Sequence, residues 1–93
     1  MDLTGKRLEV RQEVLTRELR GESVILDLAS ERYFGLDEVG TGMWRALTQG
    51  KSIEHAIAAL ETEYEVDPRT LRADVAEFVR KLADAGLVDV RDA

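Results

Sequence analysis

The sequence predicts an α+β domain in which a three-stranded antiparallel sheet is followed by a bundle of three helices. Three observations carry this reading. Between Val14 and Leu36 the pattern is strand-like, with breaks at Gly21-Glu22 and at "ASER". From Val39 onward apolar residues recur at helical spacing, in three runs separated by Gly50 and by "EVDP". Each run follows a residue suited to cap a helix: Asp37, Ser52 and Asp67.

Residues 1–13 mix charges with Leu3, Leu8 and Val10 and read as a loose lead-in or a first short strand. "VLTRELR", residues 14–20, is β-compatible and runs into the first break; "SVILDL" then alternates Val24, Leu26 and Leu28 with Ile25 and Asp27. The pair reads as a hairpin, and the turn at "ASER" leads to a short third strand, "YFGL", at an edge of the meander. A first helix is expected over residues 38–48, with Val39, Met43, Ala46 and Leu47 as its apolar stripe and Gly50 as its end. Ile53, Ala56, Ile57 and Leu60 define a second helix reaching Tyr64. Pro68 suits the first position of a third helix, where its missing amide hydrogen costs nothing, and that helix runs to about Ala85 and stops at Gly86. Its apolar residues are Leu71, Val75, Phe78, Val79 and Leu82, and "LVDV" follows as a short final strand. The order of elements is related to the winged helix-turn-helix arrangement.

Composition narrows the function. The chain has 93 residues, 44% hydrophobic and 34% charged, which suits one folded domain with a single core. Its net charge is −6, and the acidity is spread along the chain with no basic arm. Nucleic acid and anionic membrane surfaces are therefore poor partners, since both need clustered Lys and Arg. There is no cysteine and one histidine, His55, which removes disulfides, thiolate nucleophiles, zinc clusters and His-based triads. No signal-peptide run or membrane-spanning apolar stretch is present, so a cytoplasmic protein is expected.

Two features invite a chemical reading and lose it. "ETEYEVD" gathers Glu61, Glu63, Glu65 and Asp67 but lacks the Asp-x-Asp-x-Asp-Gly pattern of a calcium loop, so a solvated helix end and a cap account for it and no metal is expected. Gly35, Gly40 and Gly42 match neither the Walker pattern nor the dinucleotide fingerprint, and no cofactor is expected. Glycine inside a helix costs up to about 1 kcal/mol against alanine, so Gly40 and Gly42 point to a close neighbour, expected to be the sheet. Trp44 belongs to the core by its place in the first helix.

Tyr33 and Phe34 are different, because adjacent strand residues point to opposite faces. One faces the helices; the other covers a second apolar surface, is shielded by the N-terminal segment, or is left for a partner. "YFGL" also lacks the proline and charge that usually block an edge, so it is suited to receive an extended peptide by backbone pairing, with the third helix as a wall. The same edge would allow a homodimer.

"SVILDLASERYFGLDEVGTGMWRAL", "SIEHAIAALETEYEVDP" and "LRADVAEFVRKLADAGLV" together resemble the PqqD-like proteins, the peptide-recognition domains of pathways for ribosomally made, post-translationally modified peptides. The similarity spans residues 14–90 and includes a strand ending in Tyr-aromatic-x-Leu, small residues before Trp, "EY-x-VDP", and "DV-x-x-F" followed by "GL". The resemblance implies a non-catalytic domain that binds the leader segment of a precursor peptide and delivers it to a modifying enzyme. It implies pairing of the leader with Arg32, Tyr33, Phe34, Gly35 and Leu36, in a groove walled by Leu71, Arg72, Asp74, Val75, Phe78 and Val79. Gln49-Gly50 stands where cofactor-pathway members have Asp-Gly, which favours the stand-alone proteins of lasso-peptide clusters, working with a leader peptidase and a cyclase. Service to a radical SAM or other tailoring enzyme is the alternative within the family, and a winged-helix DNA-binding regulator is the alternative outside it.

Overall fold

A computed structural model describes residues 2–93. It contains β1 (Lys6–Val10), β2 (Val14–Leu19), β3 (Glu22–Asp27), β4 (Arg32–Leu36), α1 (Glu38–Gln49), α2 (Ile53–Glu63), α3 (Pro68–Asp84) and β5 (Val88–Asp92). The expected meander is β2-β3-β4, antiparallel throughout, with β4 at one edge and β2 at the other.

The hairpin joining β2 to β3 turns one residue earlier than the break expected at Gly21-Glu22. Leu19 pairs with Glu22, so the loop is Arg20-Gly21, and both residues have positive φ (56° and 82°). Such a two-residue loop matches the right-handed twist of its strands, and glycine takes one of its left-handed positions without strain. At the β3–β4 connection Asp27 organises the turn: its carboxylate accepts from the Ala29 amide at 3.1 Å and the Ser30 hydroxyl at 2.8 Å. The Ser30 hydroxyl chiefly, with help from the Ala29 and Ser30 amides and the charge of Arg32, holds the Asp27 carboxyl below its ordinary range.

β1 and β5 form a separate two-stranded antiparallel ribbon, with Leu8 opposite Val90 and Val10 opposite Val88. The N-terminal segment is therefore a strand, not a loose lead-in, and it pairs with the final strand foreseen at "LVDV". Leu3, Leu8 and Val88 join the core.

All three caps form. Asp37 accepts from the Gly40 amide at 2.8 Å, Ser52 from the His55 amide at 3.0 Å, and Asp67 from the Arg69 amide at 2.8 Å with Pro68 in the first turn. Each cap satisfies an amide that has no partner inside its helix. α1 packs on β3 and β4, α2 and α3 pack on each other and meet the β1–β5 ribbon, and the core between them holds Ile25, Leu47, Ile57, Leu60, Val75 and Val79, all essentially buried. Trp44 is buried with them, as expected.

Gly40 and Gly42 have close neighbours, but not the same one. A Cβ on Gly40 would lie 3.4 Å from Leu36 at the end of β4, as a seat against the sheet requires. A Cβ on Gly42 would collide with the Tyr64 hydroxyl, so its neighbour is the end of α2 rather than the sheet. α1 is held to the sheet instead by a buried hydrogen bond between the Ser23 and Thr41 hydroxyls, 2.8 Å apart.

Candidate functional site: the open edge of the sheet

In β4 the pleat sends Arg32, Phe34 and Leu36 inward and Tyr33 and Gly35 outward. Phe34 lies opposite the fully buried Ile25 and packs half-buried against the core, while Tyr33 lies opposite Leu26 and is 74% exposed. The two adjacent aromatics thus divide as the alternation requires, Phe34 toward the helices and Tyr33 toward solvent.

β4 pairs with β3 along one side only. On the other side, alternate residues turn their N–H and C=O groups outward, an open template for another strand. Among the described residues, no proline and no inward-pointing carboxylate interrupts β4. Its one charge, Arg32, stands at the first position, with the guanidinium 5.3 Å from the centre of the Phe34 ring and Nη2 donating to the Ala85 carbonyl at 3.4 Å. That contact brings the C-terminal end of α3 beside the start of β4.

The α3 residues singled out from the sequence fall into two groups. Leu71, Val75 and Val79 are buried in the core. Arg72 is turned to α2, where its guanidinium grips both carboxylate oxygens of Glu54 at 2.6 and 2.8 Å, and this contact lowers the Glu54 pKa. Asp74 is exposed and Phe78 half-buried. By helical spacing Asp74, Phe78, Lys81 and Ala85 share one stripe, and Ala85 is the member that Arg32 reaches. Lys81 and Ala85 were missed in the sequence because the apolar periodicity marks the buried face, and this stripe flanks it.

Where β4 begins and α3 ends, a hollow of about 820 Å³ opens, lined by Arg11, Val14, Asp27, Ser30, Arg32 and Ala85. Two of its charges are engaged within the fold: Arg11 donates to Asp89 at 3.0 Å and Asp27 serves the turn. Among the described residues, no group of three or more His, Asp or Glu side chains is placed to hold a metal ion. The acidic residues of "ETEYEVD" are exposed, as is His55. No helix of the described chain is long and apolar enough to cross a membrane.

A small α+β fold whose most distinctive surface is an unpaired strand edge defines a class of peptide-docking domain. The chain belongs to the PqqD family: the family model described as "Coenzyme PQQ synthesis protein D (PqqD)" matches residues 22–88. Among solved structures it is similar to a chain described as "TbiB1 in Complex with the TbiA(beta) Leader Peptide", with 36% identity, a TM-score of 0.82, and coverage of 87% of this chain and 94% of that one. It is also similar to "Lasso peptide synthetase B1 complexed with the leader peptide", with 25% identity, a TM-score of 0.80, and coverage of 89% of this chain and 98% of that one. No curated protein sequence matches the chain.

Proposed function

We propose that this protein is a non-catalytic leader-binding module: it captures the leader of a ribosomally made precursor peptide as an added strand on β4 and presents it to a partner processing enzyme. The open β4 edge carries the reading, with Arg32 to Leu36 as its pairing positions. The bound segment runs between β4 and the α3 flank of Asp74 and Phe78; the buried Leu71, Val75 and Val79 support that flank from behind, and Arg72 braces α3 against α2. The two solved structures support this, since both are described as complexes with a leader peptide and one is described as a lasso peptide synthetase. The proposed partner of this protein is the leader peptidase and cyclase of a lasso-peptide pathway, a reading that the lasso-peptide neighbour supports. Service to a radical SAM or other tailoring enzyme is the second reading, and the description of the matching family favours it to that extent.

A DNA-binding role is disfavoured by the charge on α3. Arg80 is engaged by Glu77 and Asp84, and Arg72 by Glu54, so the helix offers a duplex little net attraction.

The test is a titration with the leader of the precursor peptide encoded beside this gene. The wild type binds with micromolar or tighter affinity, and Gly35→Pro, which adds a ring and removes an amide hydrogen at the edge, binds at least tenfold more weakly while keeping its circular dichroism spectrum. Equal affinity of wild type and Gly35→Pro would count against pairing on β4.

A further inference from the structure

Gly35 has no reason in the fold. Gly5, Gly21 and Gly86 have positive φ, and a Cβ on Gly40, Gly42 or Gly50 would meet a close neighbour. Gly35 has neither excuse: its φ is ordinary, and a Cβ built on it meets nothing within 4 Å. Glycine inside a strand weakens the strand, and its presence often marks the approach of a ligand or a second backbone. Nothing among the described residues makes that approach, which leaves room for a group from outside the fold.

The outward face around Gly35 is shaped for an apolar group. Gly35 lies opposite Val24, which lies opposite Arg17, and Leu19 stands at the next outward position of β2. Val24 is 38% exposed and Leu19 is 74% exposed. With the strand end at Leu36 and a rim of Glu18, Glu22 and Asp37, they line an open hollow of about 720 Å³. Its apolar floor is Val24 and the bare backbone of Gly35, and the stem of Arg17 forms a wall that can cover an aromatic ring.

Strand pairing decides which part of a ligand reaches this hollow. Residues directly opposite each other on neighbouring strands project to the same face. A peptide strand laid along β4 therefore sends the side chain opposite Gly35 outward, and with no Cβ in the way that side chain leans across Gly35 onto Val24. The same device, a large side chain folded over a facing glycine, repairs edge glycines in designed sheets. We infer that the hollow over Gly35 is a specificity subsite that takes a large apolar or aromatic side chain from the peptide strand added to β4. Being open to solvent, it selects by polarity rather than by exact size. The inference rests on the leader-binding reading and adds to it a requirement on one position of the bound peptide.

The experiment uses a displayed library of random twelve-residue peptides, selected in parallel on the wild type, on Gly35→Val and on Val24→Ser. Valine is a favourable strand residue and finds open space at position 35, and Val24→Ser removes the floor without touching the edge. Peptides selected on the wild type are expected to share Phe, Tyr, Trp, Leu or Ile at one position. Changing that residue to alanine weakens binding to the wild type about tenfold, as burial of a large side chain predicts. The same change has little effect on Gly35→Val or Val24→Ser. Selected peptides whose apolar position is as important to both variants as to the wild type would overturn the subsite and leave edge pairing intact. Failure of any peptide to be enriched on the folded wild type would overturn the edge reading and the subsite with it.

Discussion

At the scale of single residues, Gly42 separates two accounts of why α1 carries glycines. The sequence signals that something comes close, since mid-helix glycine has a cost, but only the packed structure identifies the Tyr64 hydroxyl as the neighbour. Gly42→Ala is expected to destabilise the protein by about 1–3 kcal/mol through overpacking. Tyr64→Phe removes the colliding atom, so the double variant Gly42→Ala/Tyr64→Phe recovers most of that loss in urea denaturation. A double variant as unstable as the single would place the strain elsewhere. The fates of Tyr33 and Phe34 were half legible for a related reason. Strand alternation requires that they part, but which one turns inward depends on the register with β3, where Phe34 meets Ile25 and Tyr33 meets Leu26.

At the scale of elements, the helices were legible almost to the residue because their caps are written locally. Asp37, Ser52 and Asp67-Pro68 each act within one turn of chain, and each forms the bond its side chain implies. The β1–β5 ribbon was not legible as a pair. Its two strands lie at opposite ends of the chain, and no local pattern says that Leu8 will face Val90. The distinction is measurable. Leu8 is buried to 9% exposure, so Leu8→Ala is expected to cost about 2–3 kcal/mol, whereas Leu28→Ala, at 57% exposure, stays within about 0.5 kcal/mol. Denaturation midpoints of the two variants check this; a neutral Leu8→Ala would return the N-terminal segment to a loose lead-in. The α3 wall shows the same limit in another form. Apolar periodicity pointed to Leu71, Val75, Phe78 and Val79, of which Leu71, Val75 and Val79 are buried and Phe78 is half-buried, while the residue that Arg32 reaches is Ala85 at the helix end.

At the scale of the whole molecule, the three-stranded sheet has two edges, β2 and β4, and β4 is the one set beside the end of α3. Self-pairing through that edge would give a homodimer and would compete with a peptide for the same backbone groups. Peptide capture therefore requires β4 to be free in solution, and the central claim reduces to where a leader lands. The direct measurement is a titration of the isotope-labelled protein with the leader of its neighbouring precursor peptide, followed by backbone amide resonances and by hydrogen exchange. The largest shifts are expected in Arg32 to Leu36, with new protection of the alternate amides that face away from β3, smaller shifts at Asp74 and Phe78, and none along the β1–β5 ribbon. Binding that leaves the β4 amides unshifted and unprotected would contradict capture on β4.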